Sequence, residues 1–386
     1  MLSKKAALVF LATLALISVF VCGSLYIYDP LSVFHKPFAR DFTIKVNNMR
    51  KQSIAIIRNF PFDSAIIGNS YTENTSSKEA GEMLGGQFIN ISMSGSGLFE
   101  QSFVVEYVLS RYKVKTVFRV LSEALGRNGH GSYPLSEWTF LYDDTILNDV
   151  RVYFNTHHLK CLAKWSDSQR CVGTKVDPDR PAAWFEQKWN ASRFGGLDNW
   201  ITYHDNPQLT NFMHSVLPEN ANKAPISSDE ELAPENAAEI KSYIDEYVVQ
   251  VAKKYPETNF IYFFNPHSLV QRAVEARSGD LKAHIFWVKE AVSMCEGLDN
   301  VQLYCFDNEP FTADIENYSD MTHYAIDINS LILQSINKGK NRLTPGNVDE
   351  YLNLLAKRAA AYDLKDLNEY VQKGVRLIKE SEGEQK

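Results

Sequence analysis

The sequence predicts an α/β fold, a three-layer domain with a mostly parallel sheet of five strands. Short apolar runs of strand length alternate with longer segments of helical periodicity, the order expected of parallel strands and crossover helices. The chain has 386 residues, of which 45% are hydrophobic and 23% charged, enough to bury a large core in an ordinary globular protein. The net charge of −7, without a basic block, argues against nucleic acid as a partner.

The first element is a predicted membrane anchor. Lys4 and Lys5 precede an uncharged, mostly apolar run over residues 6–28, and about 20 apolar residues suffice to cross a bilayer. Because positive charge stays on the cytoplasmic side, this predicts a single pass through an inner or plasma membrane, with the body outside the cytoplasm. A cleaved signal peptide is the alternative, since Cys22 and its neighbours are small. The length of the run, which ends at Tyr28, favours an uncleaved anchor.

The remaining elements follow in order, and each is predicted from its apolar periodicity. The predicted strands are residues 62–68, 87–93, 116–121, 259–264 and 301–306. The predicted helices are a connecting helix at 41–59 and then 72–84, 98–112, 235–255, 281–295 and 324–337, with one or two amphipathic helices within 347–379.

An irregular segment over residues 126–234 interrupts this alternation. It contains most of the tryptophans, which are Trp138, Trp165, Trp184, Trp189 and Trp200. A long insertion rich in aromatic residues predicts a cap over a binding site rather than disorder. The chain is therefore divided into an anchor (1–28), a connecting segment (29–60), an α/β domain (61–125 and 235–340), the insertion (126–234) and a helical tail (341–386).

Four cysteines in the exported part form two sequence-close pairs. Cys161 and Cys171 are a candidate disulfide, because an oxidising compartment permits one, and Cys295 and Cys305 are a weaker candidate pair. The alternative is that these cysteines are small buried apolar residues. Neither spacing resembles a zinc site.

The motif Gly68-Asn69-Ser70 ends the first predicted strand. A serine at this turn lies at the carboxyl edge of the sheet, where open α/β sheets bind ligands. The helix that follows directs free N–H groups at the same place, and these groups stabilise developing negative charge. Ser70 is therefore a candidate nucleophile. Serine and asparagine are also good helix caps, which is the simpler interpretation.

A second motif, Asp320-Met321-Thr322-His323, lies in the loop after the last predicted strand. An aspartate three residues before a histidine can curl back to accept the Nδ1–H of the imidazole. Nε2 is then free to take a proton from a serine hydroxyl. The alternative is a capping aspartate beside a surface histidine.

Together the two motifs resemble the SGNH (GDSL-like) hydrolase superfamily, in which the serine follows the first strand and Asp-x-x-His the last. The segment 90–95 resembles the second conserved block of that superfamily. The resemblance implies a flavodoxin-like three-layer fold, catalysis by Ser70, Asp320 and His323, and an oxyanion hole formed by the backbone N–H groups of Ser70 and Gly95.

With an anchor and an exported body, the chain resembles the membrane-bound branch that includes the D-alanine transfer protein of teichoic acids and the alginate O-acetyltransferases. The branch implies a serine esterase or O-acyltransferase without a cofactor. Its implied partners are an envelope polysaccharide or acyl donor and a membrane protein that supplies acyl groups.

The third conserved block of the superfamily, Gly-x-Asn-Asp, is missing, and residues 121–124 read Leu-Ser-Glu-Ala instead. The missing asparagine is an oxyanion donor, and losing such a donor costs on the order of 10²–10³ in rate. Asn265, after the fourth strand, is a candidate replacement, although a turn residue before Pro266 is the simpler interpretation. A non-catalytic assembly or sugar-binding component of an envelope-polymer pathway is therefore the alternative function.

Three further polar residues are candidates for substrate binding. Asn69 stands where the superfamily has an aspartate before the nucleophile, and Glu123 follows the third strand at the same edge of the sheet. His267 follows the Asn265-Pro266 turn and is a candidate for the mouth of the site. Glu100 is interpreted as a solvated or capping charge.

Overall fold

The fold is that of a computed structural model, which describes residues 4–122, 133–185, 187–203, 206–227 and 231–383. Its strands are β1 (Thr43–Ile44), β2 (Ser64–Ile67), β3 (Phe88–Asn90), β4 (Thr116–Leu121), β5 (Thr174–Lys175), β6 (Asn259–Phe264), β7 (Val301–Cys305) and β8 (Arg342–Leu343). The longer helices are α1 (Lys4–Tyr28), α2 (Met49–Asn59), α4 (Ser77–Leu84), α5 (Leu98–Arg111), α6 (Thr156–Lys164), α12 (Pro234–Ile244), α14 (Leu269–Ser278), α15 (Leu281–Met294), α16 (Ile326–Asn337), α17 (Val348–Ala361) and α18 (Leu364–Gly383). The short helices are α3 (Ser70–Glu73), α7 (Gln169–Val172), α8 (Lys188–Ala191), α9 (Leu197–Thr202), α10 (Pro207–Asn211), α11 (Leu217–Ala221) and α13 (Gln250–Lys254).

A mixed six-stranded sheet of order β3-β2-β4-β6-β7-β8 forms the centre of the body. The first five strands in this order are parallel, and β8 pairs antiparallel with β7 at the edge. The predicted α/β class is confirmed, and β8 is an addition that the sequence pattern did not predict. The chain order reverses at β2, so a crevice is expected beyond the carboxyl ends of β2 and β4, the usual ligand position in such sheets.

Both faces of the sheet are buried, as β4 illustrates. Val117 and Leu121 belong to one apolar cluster, whereas Phe118 and Val120 belong to another. Because successive side chains of a strand point to opposite faces, these clusters lie on the two sides of the sheet. Helices α2, α5, α12 and α15 contribute to the first cluster, and α4, α14, α16 and α18 to the second. The arrangement is a helix–sheet–helix sandwich.

Two predicted helices are wrong in extent. The connecting helix begins at Met49 rather than at residue 41, because Thr43–Ile44 pairs antiparallel with Thr174–Lys175 of the insertion. The helix predicted at 72–84 is two helices, α3 and α4. The side chain of Ser76 caps α4 by accepting the N–H of Glu79 at 2.9 Å, and a helix must begin anew after such a cap.

The insertion consists of short helices and turns, and its tryptophans do not share one role. Trp138 and Trp200 are buried in the two apolar clusters, so they are core residues rather than ligand-facing ones. A disulfide joins Cys161 and Cys171, whose Cα atoms are 5.7 Å apart. Cys295 and Cys305 are free and buried, which fits the alternative interpretation of them as small apolar residues.

Candidate active site

Ser70 is placed by a tight turn between β2 and α3. Gly68 leaves no room for a side chain, because an added Cβ would collide with the Thr72 and Val120 side chains. The side-chain oxygen of Asn69 caps α3 by accepting the N–H of Tyr71 at 3.2 Å. Ser70 is thus the first residue of the helix, beyond the carboxyl end of a central strand, as the sequence predicts.

The structure brings the three predicted catalytic residues together. Ser70 Oγ lies 2.9 Å from His323 Nε2, and His323 Nδ1 lies 2.8 Å from Asp320 Oδ2. Burial raises the pKa of Asp320, but the neighbouring His323 and hydrogen bonds outweigh it and lower that pKa to about 2. Burial lowers the pKa of His323, and the Asp320 charge outweighs it, so that this pKa is raised. The carboxylate therefore stays ionised and stabilises an imidazolium.

The loop that carries the acid and the base is held by its own hydrogen bonds. Asp320 Oδ1 accepts the backbone N–H groups of Thr322 and His323, each at 2.9 Å. The Ser268 hydroxyl donates to the Met321 carbonyl at 2.7 Å, which ties the loop to the turn after β6. His323 is therefore oriented before any substrate binds, as a general base requires.

The predicted oxyanion loop carries a backbone conformation that favours glycine. Gly95 has φ +66°, in the left-handed region, and an added Cβ would meet open space, so the conformation rather than crowding favours glycine here. Its neighbour Ser94 lines the cavity that contains Ser70 and His323. Among the described residues, the N–H of Ser70 has no hydrogen-bond acceptor, which leaves it available to a ligand.

A buried ion pair supports this loop and corrects one prediction. Arg50 binds Glu100 through two hydrogen bonds of 2.7 Å and donates a third to the Ser94 carbonyl at 3.0 Å. Glu100 is fully buried, so its interpretation as a solvated charge is wrong. Periodicity could not identify the pair, because its members are 50 residues apart.

Glu73, on the same short helix as Ser70, is a site residue that the sequence analysis missed. It is buried, lines the cavity and hydrogen-bonds to the backbone of Ser94. Burial raises the pKa of Glu73 to about 8, and the hydrogen bond to Ser94 and the charges of His323 and Arg50 only partly oppose this shift. A carboxyl group that is neutral at pH 7 therefore lines the cavity together with Ser70 and Ser94.

The Glu73→Gln variant should become more stable relative to the wild type as pH rises. The folded protein binds the Glu73 proton more tightly than the unfolded chain between pH 4.5 and about 8, so this contribution to stability is lost across that window. Each pH unit of the window is worth at most about 1.4 kcal/mol, and glutamine stays neutral with nearly the same shape. Thermal unfolding of the full chain in detergent micelles at about pH 5 and about pH 9 measures the difference.

Glu82→Gln is the matched control, because Glu82 is exposed on α4. This variant should follow the wild type at both pH values. An equal offset between Glu73→Gln and the wild type at the two values would contradict a buried neutral carboxyl.

The cavity around these residues has a volume of about 500 Å³. The insertion contributes one wall through Ala182, Trp184, Gln187, Asn190, Arg193, Asn206 and Gln208. The indole Nε1 of Trp184 donates to the Ser70 carbonyl at 2.8 Å, and its ring meets that of His323 edge-on at 5.6 Å. Part of the insertion thus covers the site, and Trp184 contacts both Ser70 and His323.

Three other predicted site residues, Asn69, Asn265 and His267, do not line this cavity. Asn69 directs its side-chain N–H to Ser122 Oγ at 2.8 Å. Asn265 is buried, and its amide group has no partner among the described residues. His267 is held by Glu275 at 3.3 Å. Asn69 and His267 therefore support the surroundings of the site, while Glu123 lies outside the described residues.

Neither a model of a known protein family nor a curated protein sequence matches this chain.

Proposed function

We propose that this protein is a membrane-anchored extracytoplasmic serine esterase or O-acyltransferase that acts on a cell-envelope or exported polysaccharide. The observation that carries the proposal is the hydrogen-bonded series Ser70–His323–Asp320 in a cavity at the carboxyl edge of the parallel strands. Ser70 Oγ lies 2.9 Å from His323 Nε2, and His323 Nδ1 lies 2.8 Å from Asp320 Oδ2. Nucleophile, base and orienting acid in this order are the constellation of acyl transfer. The polysaccharide as substrate depends on the resemblance to the membrane-bound SGNH branch.

The reaction has two halves. His323 Nε2 takes the hydroxyl proton while Ser70 Oγ forms a bond to the ester carbonyl carbon. Backbone N–H groups of Ser70 and Gly95 stabilise the oxyanion, and the leaving alcohol departs with the proton from Nε2. Water or a sugar hydroxyl then gives its proton to Nε2 and attacks the acyl carbon. The acyl group leaves Ser70, whose hydroxyl regains its proton.

The proposed location depends on α1. Within the described residues, α1 is the helix that is long and apolar enough to cross a membrane, by length and composition. Lys4 and Lys5 at its start favour a cytoplasmic N-terminus, and the Cys161–Cys171 disulfide suits an oxidising compartment for the body. A membrane partner that supplies acyl groups would then deliver them on the same side of the bilayer.

A fluorophosphonate probe tests the proposed chemistry. It should label the wild-type chain in detergent micelles, and labelling should disappear in Ser70→Ala, because the probe forms a covalent bond to an activated serine oxygen. Ser319→Ala is the matched control, since Ser319 also lines the cavity but donates to the His323 carbonyl rather than facing Nε2.

Two outcomes would contradict an enzyme. Labelling of Ser70→Ala at the wild-type level would place the reactive group elsewhere. No labelling of a folded wild-type chain would favour the alternative, a non-catalytic component. The absence of an asparagine in the third block is the feature that supports this alternative.

A further inference from the structure

The end of α1 is packed into the body rather than joined to it by a loose linker. Leu25 and Leu31, on either side of the helix end, are fully buried in the larger apolar cluster. The Tyr28 hydroxyl donates to the Ser166 carbonyl of the insertion at 2.5 Å. Arg40 donates to the Asp29 carbonyl at 2.6 Å. The helix therefore enters the body as a fixed element.

The Asp29 carboxylate makes the turn after α1 rigid. It accepts the backbone N–H groups of Val33, Phe34 and His35 at 2.8–3.0 Å and a hydrogen bond from the Tyr153 hydroxyl. The single Asp29 carboxylate accepts all four of these hydrogen bonds, so the backbone that follows the helix has little conformational freedom.

Aromatic side chains surround this point and face solvent. Tyr26 is 50% exposed, Phe38 78% and Trp165 54%, and we call these three residues the collar. The Trp165 ring packs 5.2 Å from that of Tyr28, and the Phe38 ring 4.3 Å from that of His35, which in turn contacts Tyr26. The collar thus lies beside the last turn of α1 and comes from three separate parts of the chain.

The height of the collar matches the edge of a bilayer. Helix α1 has 25 residues, about 37 Å at 1.5 Å per residue, whereas the hydrocarbon core of a bilayer is about 30 Å thick. Its last turn therefore lies at the depth of the lipid headgroups, where tyrosine and tryptophan are enriched. Exposed Lys36 and Lys164 are close in sequence to collar residues, and lysine side chains near the bilayer edge reach toward anionic headgroups.

We propose that the collar inserts into the headgroup region of a lipid bilayer and holds the body there, so that anchor and body form one rigid unit of fixed orientation. The inference rests on α1 being the transmembrane anchor of the proposed function. The bilayer is the occupant that the observations favour, because the collar is continuous with the exposed apolar surface of α1. A fixed insertion depth of the collar would keep the Ser70 cavity at a constant height above the lipid.

Depth measurements on the full chain in lipid nanodiscs test whether the collar inserts into the headgroup region. The background carries Cys22→Ser, since Cys295 and Cys305 are buried and Cys161–Cys171 is bonded. An environment-sensitive fluorophore is attached to Phe38→Cys, to Leu14→Cys within α1, or to Leu354→Cys on α17. Leu354 is the matched control, because it is 49% exposed on a helix remote in sequence from the collar.

Shallow doxyl lipids should quench the label at position 38, deep doxyl lipids the label at position 14, and neither the label at position 354. Brominated lipids should also quench part of the tryptophan emission, and this part should vanish in Trp165→Phe. Quenching at position 14 without quenching at position 38 would contradict the insertion of the collar and would still support α1 as the anchor. No quenching at position 14 overturns the anchor itself and with it this inference.

Discussion

Replacing His323 with alanine should lower the rate of acetyl-ester cleavage on the order of 10³-fold or more. The Ser70 hydroxyl then loses the proton acceptor that lies 2.9 Å away. Because catalytic groups act as a unit, removing one of them loses most of the rate enhancement that they give together. The measurement is kcat on p-nitrophenyl acetate for the full chain in detergent micelles. Thermal unfolding of the same samples checks that the variant is folded.

The Asp320→Asn variant should show a loss of similar order, about 10³–10⁴, with the shape of the site retained. Because Asp320 Oδ1 accepts two backbone N–H groups, an asparagine would place its amide oxygen at that position and direct its N–H at His323 Nδ1. The imidazole then takes the wrong tautomer, and the imidazolium loses its counter-charge. Asp327→Asn is the matched control, because Asp327 is a nearby carboxylate on α16 that does not line the cavity. Near wild-type rates in His323→Ala or Asp320→Asn would remove the proposed mechanism.

The same pair of residues fixes the sign of the pH dependence. The Asp320 charge raises the pKa of His323 against the effect of burial, so the base becomes available at a higher pH than an ordinary histidine. Activity should rise with pH as His323 loses its proton. The residual activity of Asp320→Asn should rise at a lower pH, because the charge that raised the pKa is gone.

Local signals were sufficient for the proposed catalytic residues. Ser70 follows β2, and His323 follows β7, the last of the parallel strands. Parallel strands bring their carboxyl ends to one edge of a sheet. The residues that support them gave no such signal. Glu73 falls within the helix predicted at 72–84 as one of several charged residues, and Trp184 stands in a segment without periodicity. Their roles depend on contacts between distant parts of the chain, which a single sequence does not specify.

The five parallel strands of the sheet were predicted because each is a short, mostly apolar run buried on both faces, whereas the two-residue strand β8 gave no such signal. Helix α14 was missed for the opposite reason. It buries Arg272, Glu275 and Arg277, so its inward face carries charges where the apolar period would be expected. Sequence periodicity assumes that charged residues face water. Here Arg272 pairs with Glu275 of the same helix, and Arg277 donates to backbone carbonyls.

Replacing Arg272 with methionine should destabilise the protein by about 3–5 kcal/mol, the usual effect of removing one partner from a buried ion pair. The Arg272 guanidinium binds Asp307 at 2.9 Å and Glu275 at 2.7 Å, and all three side chains are buried. Burial raises the pKa of both carboxyl groups, but Arg272 outweighs it and holds each pKa below its usual range. Methionine would fill much of the volume while leaving two buried carboxylates without this cation.

The effect should appear in urea unfolding of the full chain in detergent micelles at about pH 7. Lys289→Met is the matched control, because it removes an exposed pair with Asp349 and should cost at most about 1 kcal/mol. Equal losses in the two variants would contradict a stabilising role for the buried cluster. A double variant with Asp307→Leu should recover part of the loss, since one of the two carboxylates left without the guanidinium is then gone. Recovery of stability without Arg272 would show that the cost of Arg272→Met comes from an unpaired buried charge rather than from the cavity left by the arginine.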